Sequence, residues 1–274
     1  MARGKRLVPP YLLHRNEPGR DAGVSATLDM ESSVAVLAVH GTYVLRLQRD
    51  AHLAVRKCLS GHPAGLIADL QELDDPTGAS AGLWLTICRR AERMDPPVQV
   101  VVCAPADSEV AARLQRWGAR RFLPVFATME QARAAACERR PLTDRIVVRL
   151  PAGPGTAVPA RRAVTEACAA WHLGDLADRA ELVVSELVAN AAQHAGTPIT
   201  LVVSRRGTGV HLMVHDGDPI LPRLLAVLPT PAGVLPSRGL GLAVVHAAAT
   251  VWGAIPTAQG KAVWATIRPE VAKR

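Results

Sequence analysis

Aromatic side chains are scarce: Phe, Trp and Tyr make up 3% of the 274 residues. A base-stacking sheet or OB-type platform for nucleic acid depends on exposed rings, so that function class is set aside. Cysteine is also sparse. Cys58, Cys88, Cys103, Cys137 and Cys168 form no Cys-x-x-Cys pair, and their number is odd. This argues against a zinc site or a disulfide framework and for a reducing, cytoplasmic setting. No uninterrupted apolar run approaches the ~18 residues of a membrane span. The richest stretch, 244–255, is broken by His246, Thr250 and Gly253. The basic start, Met1 to Arg6, is not followed by an apolar signal core, so no export leader is expected. A concentrated basic stripe is missing as well: the net charge of +8 is spread thinly along the chain, and no direct nucleic-acid contact is expected.

What is present is a globular composition, with 49% apolar and 20% charged residues, enough for a packed core. The length suits one large domain or two small ones. Residues 1–24, with Pro9, Pro10 and Pro18, read as a flexible tail. Strands are expected at 34–39, 65–70, 98–103 and 122–126. They alternate with helices at 49–59, 79–94, 108–118 and 129–139, which argues for an α/β unit with helices against a sheet. A proline-rich boundary region, 140–159, carries one strand at 145–150. Beyond it the order changes: helices at 160–172 and 176–195, strands at 199–204 and 211–215, a helix at 241–252 and a last strand at 263–267.

Three local signals in this second half bear on chemistry. In 186–190 (Glu-Leu-Val-Ala-Asn), Glu186 and Asn190 lie one helical turn apart on one face. A carboxylate and an amide so placed suit a hydrated Mg²⁺ or removal of a proton from a hydroxyl. Next, Asp216-Gly217-Asp218 closes a strand; an Asp there accepts from a base amino group and Gly admits close backbone approach. Finally, Gly239-Leu240-Gly241 opens an apolar helix, whose N-terminal N–H groups suit phosphate. Each alone has a plainer reading, respectively a solvated helix face, an Asp-Gly turn and a glycine-rich helix start.

Together, in this order, they resemble the N box, the adenine-contacting Asp box and the Gly-rich box of the GHKL superfamily of ATP-binding domains, which histidine kinases and gyrase share. The resemblance covers about 141–274, including the last strand from Gly260-Lys261-Ala262-Val263-Trp264-Ala265. Lacking transducer helices and a dimerisation domain with a phospho-acceptor His, the segment looks most like the anti-sigma-factor serine kinases. That likeness implies a protein serine/threonine kinase binding ATP and Mg²⁺, with Glu186 as general base and Asn190 as Mg²⁺ ligand. It further implies Asp216 and Gly217 at the adenine, and Gly239, Leu240 and Gly241 around the phosphates. His194 stands too late for an acceptor and reads as a helix-end His facing the dipole. Two departures stand out: the family's Asp-x-Gly-x-Gly has Gly where this chain has Asp218 and Ile220. The segment 221–237, with Pro222, Pro229, Pro231 and Pro236, occupies the lid position.

The first half, about 25–140, is similar to the STAS domain of anti-sigma-factor antagonists, which carries a phosphorylated Ser in Asp-Ser-Ser-Gly at a helix start. Asp75-Pro76-Thr77-Gly78 matches that loop if two residues are deleted, making Thr77 the acceptor. Without the gap Ala79 takes the position, and Ser80 is a third alternative. Thr77 or Asp75 as a simple helix cap is the plainer alternative, and Glu72, Asp74 and Asp75 oppose a phosphate by like charge.

The expected fold class is therefore α/β in two domains, a STAS-like sheet with helices (25–140) and a GHKL (Bergerat) α/β sandwich (141–274). The implied function is an ATP-binding regulator that controls transcription by partner switching with a sigma factor or an anti-sigma-factor antagonist. The alternatives are a catalytically silent STAS/GHKL binding module and a small ATPase without a protein acceptor. STAS and GHKL regulators often pair, so a homodimer accords with the resemblance, although no motif here specifies one.

Overall fold

The computed structural model describes residues 11–12, 22–138, 144–151, 153, 155–222 and 240–270. These form two compact units. One holds 22–138 with 255–258, the other 11–12, 144–222, 240–254 and 259–270. Each is a mixed α/β body. Among the described residues no helix is long and apolar enough to cross a membrane.

After the two-residue strand β1 (Tyr11–Leu12), which belongs to the second unit, the first unit runs in order. Its elements are β2 (Gly23–Leu28), β3 (Val34–Thr42), α1 (Leu45–Ser60), β4 (Gly65–Asp69), β5 (Leu73–Asp74), α2 (Ala81–Glu92), β6 (Gln99–Cys103), α3 (Glu109–Arg116), β7 (Val125–Phe126) and α4 (Met129–Glu138). The sheet order is β7-β6-β4-β3-β2. β2 is antiparallel to β3, and every other neighbouring pair is parallel. The parallel strands are buried on both faces, which is why β4 and β6 read as continuous apolar runs. Val34, Val36, Ile67, Val101 and Cys103 pack on Ala132 and Ala136 of α4. The alternating residues Leu37, Leu66, Ala68, Val100 and Val102, also buried, point to the other face, where α1 meets β3 and α2 meets β6.

Several sequence expectations need correction. The helix expected from 49 begins at Leu45, and its buried face includes Leu47, Ala51 and Ala54, whereas Leu53 is exposed. Strand β2, built from small residues and not expected, pairs along its whole length with β3. The strand expected at 122–126 shrinks to β7, because a 3₁₀ turn takes 119–121. Pro124 contributes a carbonyl to Val102 but has no N–H for a ladder.

The second unit holds β8 (Arg145–Leu150), α5 (Ala157–Ala170), α6 (Ala177–His194), β9 (Ile199–Arg206), β10 (Gly209–Asp216), α7 (Leu240–Ala248), residues 251–254 of β11 (Val251–Thr257) and β12 (Gly260–Ile267). Its sheet runs β11-β12-β10-β9-β8, and β1 joins β11 in parallel. One face, with Ile199, Leu201, Val203, Leu212, Val214, Val263 and Ala265, packs on Val164 and Ala167 of α5, Val183, Val184 and Leu187 of α6, and Val245 of α7. α5 starts three residues earlier than expected, since Pro159 falls in its first turn, where the missing N–H costs nothing.

The helix expected at 241–252 is a further correction: it stops at Ala248 and the chain turns into β11. Ala249 N–H closes the helix on Val245 O, and Thr250 N–H then donates to Thr266 O of β12. The β-branched and aromatic residues Val251, Trp252 and Ile255 suit a pleated surface better than another helical turn.

Trp84 is wholly buried in the first unit. Trp84→Ala should cost about 3–5 kcal/mol in chemical denaturation. Leu182→Ala, at a position 47% exposed, should change stability by less than about 0.5 kcal/mol.

Candidate functional site

Helix α6 serves the core and the site with different faces. Ala180, Val183, Val184, Leu187, Val188 and Ala191 form its buried stripe, at the spacing of one helix side. Glu186 and Asn190 stand on its half-buried flank, and the start of α7 rests on them. A Cβ placed on Gly241 would lie 2.7 Å from Glu186 Oε2 and 3.4–3.5 Å from the Asn190 amide atoms. Glycine lets the second helix come this close without moving the Glu186 carboxylate. Asn190 Nδ2 is buried and has no hydrogen-bond partner among the described residues. A buried amide donor without a partner is costly, and here it sits beside a helix N-terminus.

Asp216 ends β10 and is 1% exposed. Its Oδ1 accepts from the Asp218 N–H at 2.9 Å and from the Lys261 ammonium at 2.9 Å. Lys261 stands directly across from it on β12. The following turn is tied to the exit of α6: Gly217 N–H donates to Thr197 Oγ1 at 2.9 Å, and a Cβ on Gly217 would fall 2.8 Å from Thr197 Cγ2. Gly260, at φ +151°, leaves room for the Asp216 carbonyl, which a Cβ would meet at 2.0 Å. The carboxyl of Asp218 would rise through burial. The Lys261 ammonium, the Ile220 amide and the charge of His194 outweigh this and hold it below the usual carboxylate range. Burial pushes the His215 imidazole down, with Asp216 pulling it up and Lys261 pressing it further down.

The structure thus joins Glu186 and Asn190 to Gly241, and Asp216 and Gly217 to the exit of the same helix. Leu240 is the first residue of α7. Gly239 and most of the expected lid, 223–239, lie outside the described residues. Sequence reasoning missed Thr197, Gly260 and Lys261 as site residues. Glycine followed by lysine at a strand start was visible, but the strand register that sets Lys261 against Asp216 was not.

In the first unit, the Asp75 carboxylate accepts the Ala79 N–H at 2.9 Å and the Ser80 N–H at 2.8 Å. It therefore fills the position at the start of α2 that suits a phosphate. Thr77 is exposed, and its hydroxyl donates to Asp75 Oδ1 at 3.4 Å. Ser80 is 0% exposed, and its Oγ is buried without a partner among the described residues. Gly78, at φ +62°, brings the loop against α3, where a Cβ would meet the Glu109 carbonyl at 2.7 Å.

Residues 150–267 match the family model of the histidine kinase-like ATPase domain. Among solved structures, the chain is similar to an anti-sigma factor antagonist from Mycobacterium paratuberculosis, at 17% identity and a TM-score of 0.33. That match covers 42% of this chain and 94% of the other. A comparison with curated proteins found no match.

A depressed folded-state carboxyl contributes stability above its unfolded value of about pH 4 and loses it as pH falls through the lower folded value. Asp218→Asn should therefore flatten the acid limb of the stability curve below about pH 4. The readout is melting temperature against pH, compared with the parent chain.

Proposed function

We propose that the chain is a cytoplasmic ATP-binding regulator that phosphorylates a serine or threonine of an anti-sigma-factor antagonist and so switches partners with a sigma factor. The observation that carries this reading is Gly241 seated on Glu186 and Asn190, with the Asn190 amide buried and unpartnered. It places a helix start, a carboxylate and an amide donor at one point. These residues fit a nucleotide: the glycine leaves space that a Cβ would fill, and the amide supplies an unmet polar group.

ATP with Mg²⁺, when bound, supplies the transferable phosphoryl group. The Asn190 amide would hold the ion through its oxygen. The N–H groups at the start of α7 would orient the anion. Glu186 Oε2, next to them, takes the proton from the acceptor hydroxyl. Asp216 receives the base amino group, and Gly217 lets the ring approach the backbone. Thr77 is the better acceptor candidate within the chain, because it is exposed and Ser80 is buried. Asp75 occupying the start of α2 favours an acceptor on another chain.

A second reading, a binding module without turnover, draws on a different observation: Asp216 is already engaged by Lys261. Phosphoryl transfer separates the two.

With the full chain, ATP and Mg²⁺, Asn190→Ala should weaken binding by about tenfold or more, roughly 1.4 kcal/mol. Glu186→Gln should keep binding near that of the parent but lower transfer to an antagonist substrate by about 10²–10⁴-fold. Absence of ATP binding by the parent chain overturns the reading. Binding without transfer to any antagonist or to Thr77 favours the binding module.

A further inference from the structure

Lys261 is a buried cation of the second unit. Its side chain is 7% exposed, and the carboxylates it touches, Asp216 and Asp218, are 2% and 19% exposed. Its ammonium reaches Asp216 Oδ1 at 2.9 Å, Asp218 Oδ2 at 2.8 Å and the Asp218 carbonyl at 3.1 Å. An ammonium has three N–H bonds, and three acceptors use them. No donor is left over for a ligand, so Lys261 is a clamp on the turn 216–218.

The clamp has a direction. Asp216 Oδ1 takes both the Lys261 ammonium and the Asp218 N–H, which leaves Oδ2 as the oxygen available to an incoming amino group. Without the cation, two carboxylates two residues apart would share a buried turn. Like charges so close repel each other, and the Asp216 side chain would lose the bond that orients it. A carboxylate held in that place accepts from an amino group and repels an oxo group, as a site built for one hydrogen-bonding pattern rejects the other.

We propose that Lys261 is the positioning residue of the base site: it offsets the charge of Asp218 and holds the Asp216 carboxylate in place as an acceptor. The chain thereby selects a 6-amino purine nucleotide over a 6-oxo one. The proposal rests on the nucleotide reading above. It also accounts for Asp218, the residue that departs from glycine: the acid is tolerated because Lys261 stands across the sheet from its neighbour.

The test is equilibrium binding of ATP and of ITP, each with Mg²⁺, to the full chain, to Lys261→Met and to Lys261→Met with Asp218→Gly. Melting of each protein without nucleotide is measured in parallel. The parent should prefer ATP by about tenfold or more. Lys261→Met should compress the preference to about threefold or less and lower the melting temperature. Adding Asp218→Gly should recover part of both, a non-additive pattern expected of directly contacting groups. The proposal is overturned if Lys261→Met keeps the ATP preference, if it binds ATP more tightly than the parent (a lysine that blocks the base), or if the melting effects simply add. A parent that binds neither nucleotide brings down the nucleotide reading itself, and base selection with it. A parent that binds ATP and ITP equally brings down only the role of Lys261.

Discussion

Helix α6 has to bury one stripe against the sheet while keeping a flank open, and the rest of the second unit follows from that constraint. Val183, Val184, Leu187 and Val188 hold the helix on the sheet, so the positions of Glu186 and Asn190 are set by packing rather than by their own bonds. α7 then packs on the same helix, and Gly241 leaves room there for the Glu186 carboxylate. A single methyl group would press on the Glu186 carboxylate.

Charge is handled differently at the strand end. Burying three ionised groups is unfavourable unless each finds partners. Here the geometry is close to saturating for the cation, with two carboxylates and a carbonyl around one ammonium. The same carboxylate that accepts the lysine also accepts a backbone N–H, so side chain and backbone of the turn are tied to one oxygen.

The first unit shows a contrasting use of a carboxylate. Asp75 is built into the start of α2 through two backbone N–H bonds, doing in permanent form what a phosphate does when attached. Exposed Thr77 is hydrogen-bonded to that same carboxylate, and a phosphate there would meet its negative charge at close range. The loop thus already holds a carboxylate at its helix start.

The sequence alone determined the alternation of strands and helices in the first half, because parallel strands buried on both faces leave unbroken apolar runs such as Val100 to Cys103. It also determined the helix that carries Glu186 and Asn190, through its apolar period, and the three motif segments in their order. Tertiary structure decided what local patterns do not encode. The run 244–255 is mostly apolar and would suit either helix or strand, and the bond from Thr250 to Thr266 marks where the chain leaves the helix for β11. β2 has too little apolar character to announce itself and exists because β3 offers it an edge. Lys261 becomes a site residue through cross-strand register, a long-range property set by how β10 and β12 align. Thr77 and Ser80 were separable only by burial, because two hydroxyl residues in one loop look alike in a sequence until packing covers one of them.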